Sequence, residues 1–165
     1  MPRRDEVRMT EDEIREYLKN GHTVILVSNG RRGHPHVVPM FYGLDDDLTF
    51  RFATYGNSQK VKNIERDPRV SLLLESGSAY EDIQGVMIEG QAEITRDLDA
   101  TVDTMIEAMG RTETKLPPAS ELPDEVKQQM AGKRVLIRVR PKRFMSWDHG
   151  KLPSAKTPSG IRDGQ

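Results

Sequence analysis

The sequence predicts a mainly β fold of the α+β class, a six-stranded antiparallel β-barrel with peripheral helices. Six short segments alternate apolar and polar side chains, as half-buried strands do. Several of these segments are joined by tight turns rather than by helices, which excludes a parallel, doubly wound sheet. Only 35% of the 165 residues are hydrophobic, with one Trp, four Tyr and four Phe. Because this is a thin core for the length, we expect part of the apolar surface to be buried in a homodimer.

The first half of the chain is expected to contain a helix, three strands and a second helix. The capping box Thr10-Glu11-Asp12-Glu13 predicts the start of the first helix, which ends at Asn20-Gly21. Pro39 lacks a backbone N–H, so the second strand is an edge strand or contains a bulge at this residue. A turn over Gly43 to Asp47 leads into the third strand. The expected strands are Thr23–Val27, His36–Tyr42 and Leu48–Ala53, and the second helix is Ser58–Arg66.

The second half of the chain adds three strands and two helices. The expected elements are strands Val70–Glu75 and Val86–Ile94, a helix over Asp97–Gly110, a short helix ending at Ala131-Gly132, and a last strand, Arg134–Arg140. We expect residues 1–152 to form a single domain. Pro, Ser, Gly and Thr dominate residues 153–165, so this segment is expected to be a disordered tail.

Composition excludes several classes of chemistry. The chain has no Cys, which excludes disulfides, thiol nucleophiles, iron–sulfur clusters and Cys-based zinc sites. No apolar run is long enough to span a bilayer and the first twenty residues do not resemble a signal peptide, so we expect a cytoplasmic protein.

His34 and His36 could chelate a metal, but no third ligand is evident nearby, so no metal is expected. Neither a Rossmann fingerprint nor a Walker A motif is present.

One segment predicts a phosphate site. Thr54-Tyr55-Gly56-Asn57-Ser58-Gln59-Lys60 contains a strand end, a glycine turn and a helix start. Unpaired amides at a helix N-terminus and the helix dipole favour an anion, to which Ser58 and Lys60 can add donors. The alternative is that Ser58 is an ordinary N-cap and Lys60 a solvated lysine. Spacing alone leaves both interpretations open.

Four segments carry a resemblance to a known superfamily. Ser58–Leu72 resembles the helix-and-strand signature of the pyridoxamine-phosphate-oxidase-like split barrels, in which Ser-Arg-Lys is followed by an Asn-Pro or Asp-Pro turn. Asp82–Glu93 is similar to the next strand of that superfamily, which ends in Gly-x-Ala-Glu, and Gly33–Tyr42 is similar to its first cofactor strand. Ser146–Leu152 resembles the ending of the deazaflavin-dependent oxidoreductases of the B type.

The resemblance implies a six-stranded split barrel that forms a homodimer, with a flavin or deazaflavin in a groove between the subunits. It also implies a set of cofactor-binding residues. These are Val38, Pro39, Met40 and Tyr42, which line the ring through the strand backbone, Ala53 and Thr54 beside the ribityl chain, Ser58, Gln59 and Lys60 around the phosphate, Gly85 near the ring edge, and Trp147 from the neighbouring subunit.

Two departures from the superfamily pattern narrow the choice of cofactor. Gln59 stands where oxidases that use flavin mononucleotide (FMN) usually have Arg, which removes one charge from the phosphate clamp. No Arg-x-His-Asp-Arg ending follows Trp147, which argues against vitamin B6 chemistry. The leading hypothesis is therefore a coenzyme F420-dependent oxidoreductase that transfers a hydride to a small unsaturated or carbonyl-containing organic substrate. Arg31, Arg32, Lys62 and the Arg-rich face of the last strand could hold the acidic tail of this cofactor, and the alternative for each of them is a solvent-exposed charge.

Three alternatives remain at this stage. One is an FMN-binding oxidoreductase of the same fold, and another is a non-catalytic carrier of a flavin or a tetrapyrrole. A nucleic-acid-binding barrel that uses Arg138 and Arg140 is disfavoured, because base stacking needs clustered aromatic side chains and only Phe144 and Trp147 lie near that strand. The sequence identifies neither the substrate nor a catalytic side chain.

Overall fold

The computed structural model of the protein describes residues 5–110 and 116–153, so residues 154–165 of the predicted tail lie outside the described residues. Seven strands and four α-helices make up the described fold. In chain order they are α1 Glu11–Asn20, β1 Thr23–Asn29, β2 Pro35–Phe41, β3 Gly43–Leu44, β4 Phe50–Tyr55, α2 Gln59–Arg66, β5 Arg69–Ser76, β6 Gln84–Thr95, α3 Leu98–Gly110, α4 Asp124–Ala131 and β7 Arg134–Asp148.

All seven strands belong to one antiparallel sheet with the order β2-β1-β5-β6-β7-β4-β3. The edge strands β2 and β3 are separated in the chain by Tyr42 alone. Because two consecutive residues span only about 7 Å, the two edges of the sheet must come close together, and the sheet is curled into a half-barrel. The expected antiparallel α+β fold is confirmed, and Pro39 lies on an edge strand as predicted.

The expected number of strands was wrong, since the fold has seven rather than six. The additional strand is Gly43–Leu44, which pairs with β4 where a turn was predicted. Two residues are too few to show any alternation of side chains. The last strand is also longer than predicted, because β7 continues beyond Arg140 through Pro141. Pro141 lies at an irregularity in the β6–β7 pairing, where a residue without an N–H is tolerated.

Two apolar clusters stabilise the described fold. The larger one fills the concave side of the sheet and includes Phe50 and Phe52, both fully buried. The smaller one joins α3 to α4 around Val102 and Ala131. The predicted capping box of α1 is present, since Thr10 Oγ1 accepts from the Glu13 amide at 3.3 Å. Within the described residues, no helix is both long and apolar enough to cross a bilayer.

An ion-pair cluster fastens α3 to the β3–β4 edge. Arg51 Nε lies 2.6 Å from Asp45 Oδ1, and an Arg51 terminal nitrogen lies 2.5 Å from Glu107 Oε2 on α3. Glu107 also accepts from the Leu44 amide at 3.0 Å. Burial by itself lowers the pKa of Arg51, but the attraction of Glu107 and Asp45 outweighs it and raises this pKa. The cluster therefore holds α3 beside the edge where the sheet curls onto itself.

Candidate functional site

Two cavities lie along the edge strand β2. One opens at its Pro35–His36 end, beside the β1–β2 loop and α2. The other opens at its Pro39–Phe41 end, beside β4 and α3. His36 and Met40 are four residues apart, which corresponds to about 13 Å along an extended strand. A single elongated ligand lying along β2 could therefore reach both cavities.

The first cavity, here called the basic cleft, has a volume of about 860 Å³. Its lining side chains include four that carry a full positive charge at neutral pH, and none of the described residues that line it is acidic. The complete lining is Gly30, Arg31, Arg32, His34, Pro35, His36, Gln59, Lys62 and Arg66. A cleft lined by charges of one sign raises the local concentration of the opposite ion, so the basic cleft favours an anionic ligand.

The start of α2 contains a buried hydroxyl without a partner. Ser58 is the N-cap residue, but its side chain makes no capping hydrogen bond. Its Oγ is buried and has no hydrogen-bond partner among the described residues. Leaving a buried polar atom unpaired costs free energy, which a phosphate oxygen at this point would recover. The hydroxyl is thus free for a ligand, which favours the phosphate interpretation over an ordinary N-cap.

Lys60 and Gln59 behave differently at this helix start. Burial lowers the pKa of Lys60, because its ammonium loses water without a compensating opposite charge. Gln59 Nε2 instead donates to Asn63 Oδ1 at 2.8 Å, and Asn63 Nδ2 donates to Ser28 Oγ at 3.1 Å. Lys60 is therefore the cation suited to an anion here, whereas the Gln59 amide is engaged with the helix that carries it.

The second cavity, here called the apolar pocket, has a volume of about 220 Å³. The edge strand β2 contributes to it together with residues of β4 and β7, and α3 forms a further wall. Its lining is Pro39, Met40, Phe41, Ala53, Thr104, Met105, Ala108, Met109 and Arg134. Three residues predicted to lie near a cofactor ring or its ribityl chain, Pro39, Met40 and Ala53, are thus brought together by the fold.

The other predicted residues of β2 and β4 are less accessible. Val38 packs against the main core, and Thr54 is buried. Tyr42 is fully buried, its hydroxyl donates to the Leu18 carbonyl at 2.5 Å, and its ring centroid lies 5.1 Å from that of Phe50. The Tyr42 side chain therefore lies in the core, and the expectation that Tyr42 lines a cofactor ring through its backbone stays a prediction.

The sequence profile of the pyridoxamine 5'-phosphate oxidase family matches residues 10–148 of the chain. The chain belongs to this family. The match covers the whole sheet and all four helices, so the resemblance carried by Ser58–Leu72 is confirmed.

Solved structures agree with this family assignment. A conserved hypothetical protein of Mycobacterium tuberculosis is 34% identical, with a TM-score of 0.80 over 93% of this chain and 94% of that one. A protein described as an F420 reductase is 23% identical, with a TM-score of 0.59 over 78% and 93%. A FAD-binding protein of Mesorhizobium loti is 18% identical, with a TM-score of 0.58 over 84% and 92%. At identities of 23% and 18%, the similarity to the last two proteins shows only that the fold is shared. No curated protein sequence matches the chain.

In this family member Gly85 and Trp147 face each other across β6 and β7. A Cβ on Gly85 would lie 2.3 Å from Trp147 Cζ2, so only glycine leaves room for the indole. β6 is separated from β2 by three strand spacings, roughly 14 Å. The two residues therefore do not join the apolar pocket of their own chain.

The structure divides the arginines expected to hold an acidic tail. Arg31, Arg32 and Lys62 line the basic cleft as a group. Arg138 lies 3.0 Å from Asp45 and Arg140 lies 3.5 Å from Glu93, so these two are paired away from the cleft. Arg134 of the same Arg-rich face lines the apolar pocket instead, and the expectation that this face holds an acidic tail stays a prediction.

Several residues of the two cavities were missed by sequence reasoning. Arg66 follows Lys62 by four residues on α2, and this helical spacing could have placed it in the basic cleft. His36 also lines the cleft, and its Nδ1 is buried without a hydrogen-bond partner among the described residues. No local pattern indicates that Met105 and Arg134 meet in the apolar pocket, since this depends on how α3 and β7 pack. No group of three or more His, Asp or Glu side chains suited to a metal occurs within residues 5–110 and 116–153.

Proposed function

We propose that the protein is an oxidoreductase that uses the deazaflavin coenzyme F420. The observation that carries this proposal is the position of the basic cleft and the apolar pocket at opposite ends of one edge strand. Ala53 lines the apolar pocket and Gln59 lines the basic cleft, with the unpartnered Ser58 hydroxyl between them in the chain. This order matches a cofactor whose flat ring lies against the edge of β2 at the mouth of the apolar pocket, whose phosphate lies at the start of α2 and whose anionic tail lies in the basic cleft.

Each part of such a cofactor has a candidate partner. Pro39 and Met40 would support the ring through the edge of β2, and Ser58 and Lys60 would bind the phosphate. Arg31, Arg32, Lys62 and Arg66 would hold the lactyl and glutamyl carboxylates of the tail. FMN ends at its phosphate, so it could use the helix start but not most of the basic cleft. The charge of the cleft therefore favours the deazaflavin over FMN.

In this proposal the residues of the chain bind the cofactor and orient its ring. The chemistry that a reduced deazaflavin would supply here is hydride transfer to a small unsaturated or carbonyl-containing substrate, with the accompanying proton taken from solvent. The edge of β2 would fix the ring, and α3 would exclude water from one side of it. The deazaflavin itself brings the redox chemistry, so the site requires no nucleophilic side chain.

We also propose that the protein acts as a homodimer through the convex face of its sheet. Register places one apolar side chain from each of five neighbouring strands in a continuous row on this face. The row is Pro39, Ile25, Leu73, Met87 and Met145. On β2, Val37 and Phe41 beside it are 59% and 62% exposed. Pairing this face with a second copy would bring the partner subunit's Trp147 toward the groove along β2, as the cofactor hypothesis requires.

Titration of F420 and FMN against Trp147 fluorescence tests the cofactor. We expect the Kd of the deazaflavin to be at least about tenfold lower, a difference of about 1.4 kcal/mol. The preference should shrink as salt is raised, because exposed charge pairs are screened. An Arg31→Gln, Arg32→Gln variant should weaken F420 binding far more than FMN binding, whereas Arg140→Gln, outside the cleft, should change neither. Equal affinities at low salt, or a preference for FMN, would instead favour the FMN-binding oxidoreductase.

A further inference from the structure

We propose that the apolar pocket binds the substrate, and that this substrate is a compact conjugated organic acid whose carboxylate is held by Arg134. The inference rests on the proposed function, because it assigns the apolar pocket to the substrate of the same site. The observation behind it is that the Arg134 guanidinium is the one charged group among the described lining residues. The other lining side chains are apolar, except Thr104, whose hydroxyl is already hydrogen-bonded.

Among the described residues that line the apolar pocket, Arg134 is the one whose hydrogen-bond donors are available to a ligand. Thr104 is the other polar residue among its lining, but its hydroxyl donates to the Ala100 carbonyl at 2.8 Å. The same oxygen accepts from Arg51 at 3.0 Å. The remaining described lining residues are apolar. A ligand with one charged group would therefore find its complement only at Arg134.

The guanidinium of Arg134 is held in place but not neutralised. It lies 4.3 Å from the centroid of the Tyr55 ring, and its Nε donates to the Met130 carbonyl at 3.3 Å. None of the ion pairs within residues 5–110 and 116–153 involves Arg134. Arginine carries five N–H donors in a planar fork that matches a carboxylate. Stacking on Tyr55 fixes the orientation of the Arg134 guanidinium before a ligand arrives, which reduces the conformational entropy lost when a carboxylate binds.

Its size suits the apolar pocket to a small ligand, and its position separates it from the anionic tail of the cofactor. A volume of about 220 Å³ is below the usual range of roughly 300–1,000 Å³ for ligand pockets, so it suits a single ring or a short chain. The anionic tail is assigned to the basic cleft at the other end of β2, about 13 Å away along the strand, so Arg134 is not needed for the tail. Met105 and Met109 on the α3 wall have flexible thioether side chains that adapt to the outline of a small apolar body.

Calorimetric titration of the full chain with cinnamate and with its neutral counterpart cinnamamide tests the pocket. Both probes share an aromatic ring and a conjugated double bond, and they differ in the charge. We expect the Kd of cinnamate to be at least tenfold lower, with and without oxidised F420. Arg134→Gln should reduce the difference to less than about threefold, while Arg134→Lys, which keeps the charge, should retain a larger one. Arg140→Gln should leave the wild-type preference unchanged.

Thermal melting of each variant confirms that it is folded before binding is measured. Equal affinities for the two probes in the wild-type protein would overturn the proposal. A cinnamate preference that survives in folded Arg134→Gln would overturn it as well. F420 affinity measured on the same samples separates the two proposals. Cinnamate selectivity without F420 binding supports the pocket and rejects the cofactor, and F420 binding without selectivity rejects the pocket alone.

Discussion

Two residues at the start of α2 are held in unfavourable environments. The Ser58 hydroxyl is buried without a partner, and the Lys60 ammonium is partly desolvated. Each condition costs free energy of folding, and each would be relieved by an anion between them. Such a trade of stability for binding is typical of functional sites.

Replacing Lys60 by Met separates the cost of Lys60 to folding stability from its contribution to anion binding. A base whose pKa is lowered by burial is penalised in its charged form, which is the form present at neutral pH. The variant should therefore melt at a temperature no lower than the wild type. Its affinity for F420 and for FMN should fall by about ten- to a hundredfold, the equivalent of about 1.5–3 kcal/mol for a hydrogen bond to a charged group. Lys19→Met, at the exposed end of α1, should change neither property. A loss of stability with unchanged affinity would contradict this prediction.

Asp67, which follows α2, links stability to pH. Hydrogen bonds from Arg69 at 2.7 and 2.9 Å, and from Asn29 at 2.8 Å, hold the pKa of this carboxyl well below its usual range. A carboxyl with a lowered pKa stabilises the folded state above its unfolded pKa, which is about 3.9. This contribution is lost as the pH falls toward the folded value.

Asp67→Asn should therefore be less stable than the wild type at neutral pH. Urea unfolding at pH 7, 5 and 3 should show a gap in the free energy of unfolding that is full at pH 7 and narrower at pH 3. The narrowing follows because the wild type loses its carboxylate contribution while the amide is unaffected by pH. A gap of constant size over this range would contradict the assignment.

Helix α3 connects the stability of the fold to the shape of the site. One side of it packs in the smaller apolar cluster through Val102, while Met105 and Ala108 line the apolar pocket. Its attachment to the sheet edge depends on the contacts of Glu107 with Arg51 and with the Leu44 amide. The Arg51 side chain is only 16% exposed, so the loss of a partner leaves a largely buried charge.

Glu107→Gln should lower the free energy of unfolding by about 1–2 kcal/mol, because Asp45 still pairs with Arg51 but the α3 contact is weakened. The matched control is Glu93→Gln, which disrupts the exposed Glu93–Arg140 pair and should cost no more than about 0.5 kcal/mol. Chemical denaturation of the two variants measures both values. Equal effects would show that the α3 attachment contributes no more than a surface ion pair.

The proposed assembly of the whole molecule depends on the apolar row across the convex face of the sheet. Leu73 lies at its centre, between Ile25 and Met87 in the register of the strands. We expect light scattering to give a dimer mass for the wild type at micromolar concentration. Leu73→Lys should give a monomer, since burying an unpaired ammonium opposes association.

The same variant tests whether the site is completed by a second copy. In monomeric Leu73→Lys, F420 should no longer quench Trp147, because the partner subunit's Trp147 would be absent from the groove. Gln128→Lys, which adds the same charge on an exposed face of α4, should remain dimeric. A wild-type monomer, or full quenching in a monomeric variant, would remove the partner from the site.

The sequence by itself determined the features that depend on neighbouring residues. The capping box at Thr10, the edge position of Pro39 and the start of α2 at Ser58 are each specified within about one turn of chain. Hydrogen-bonding side chains and a missing N–H act on adjacent backbone groups, so their effect can be predicted without knowing the fold. The phosphate site and the grouping of Arg31 with Lys62 followed from such local signals and from the family resemblance.

Only the tertiary structure decided which distant residues meet. The two-residue β3, the burial of Tyr42 and the meeting of Arg134 with α3 all depend on a sheet that curls until its edges approach. Pairings between β4 and β7 join residues 79 to 89 positions apart in the chain. No short-range pattern encodes such contacts, because they are selected by the burial of the whole apolar face at once. For this reason the sequence indicated that Arg31, Arg32 and Lys62 belong together, whereas the apolar pocket became visible only in the fold.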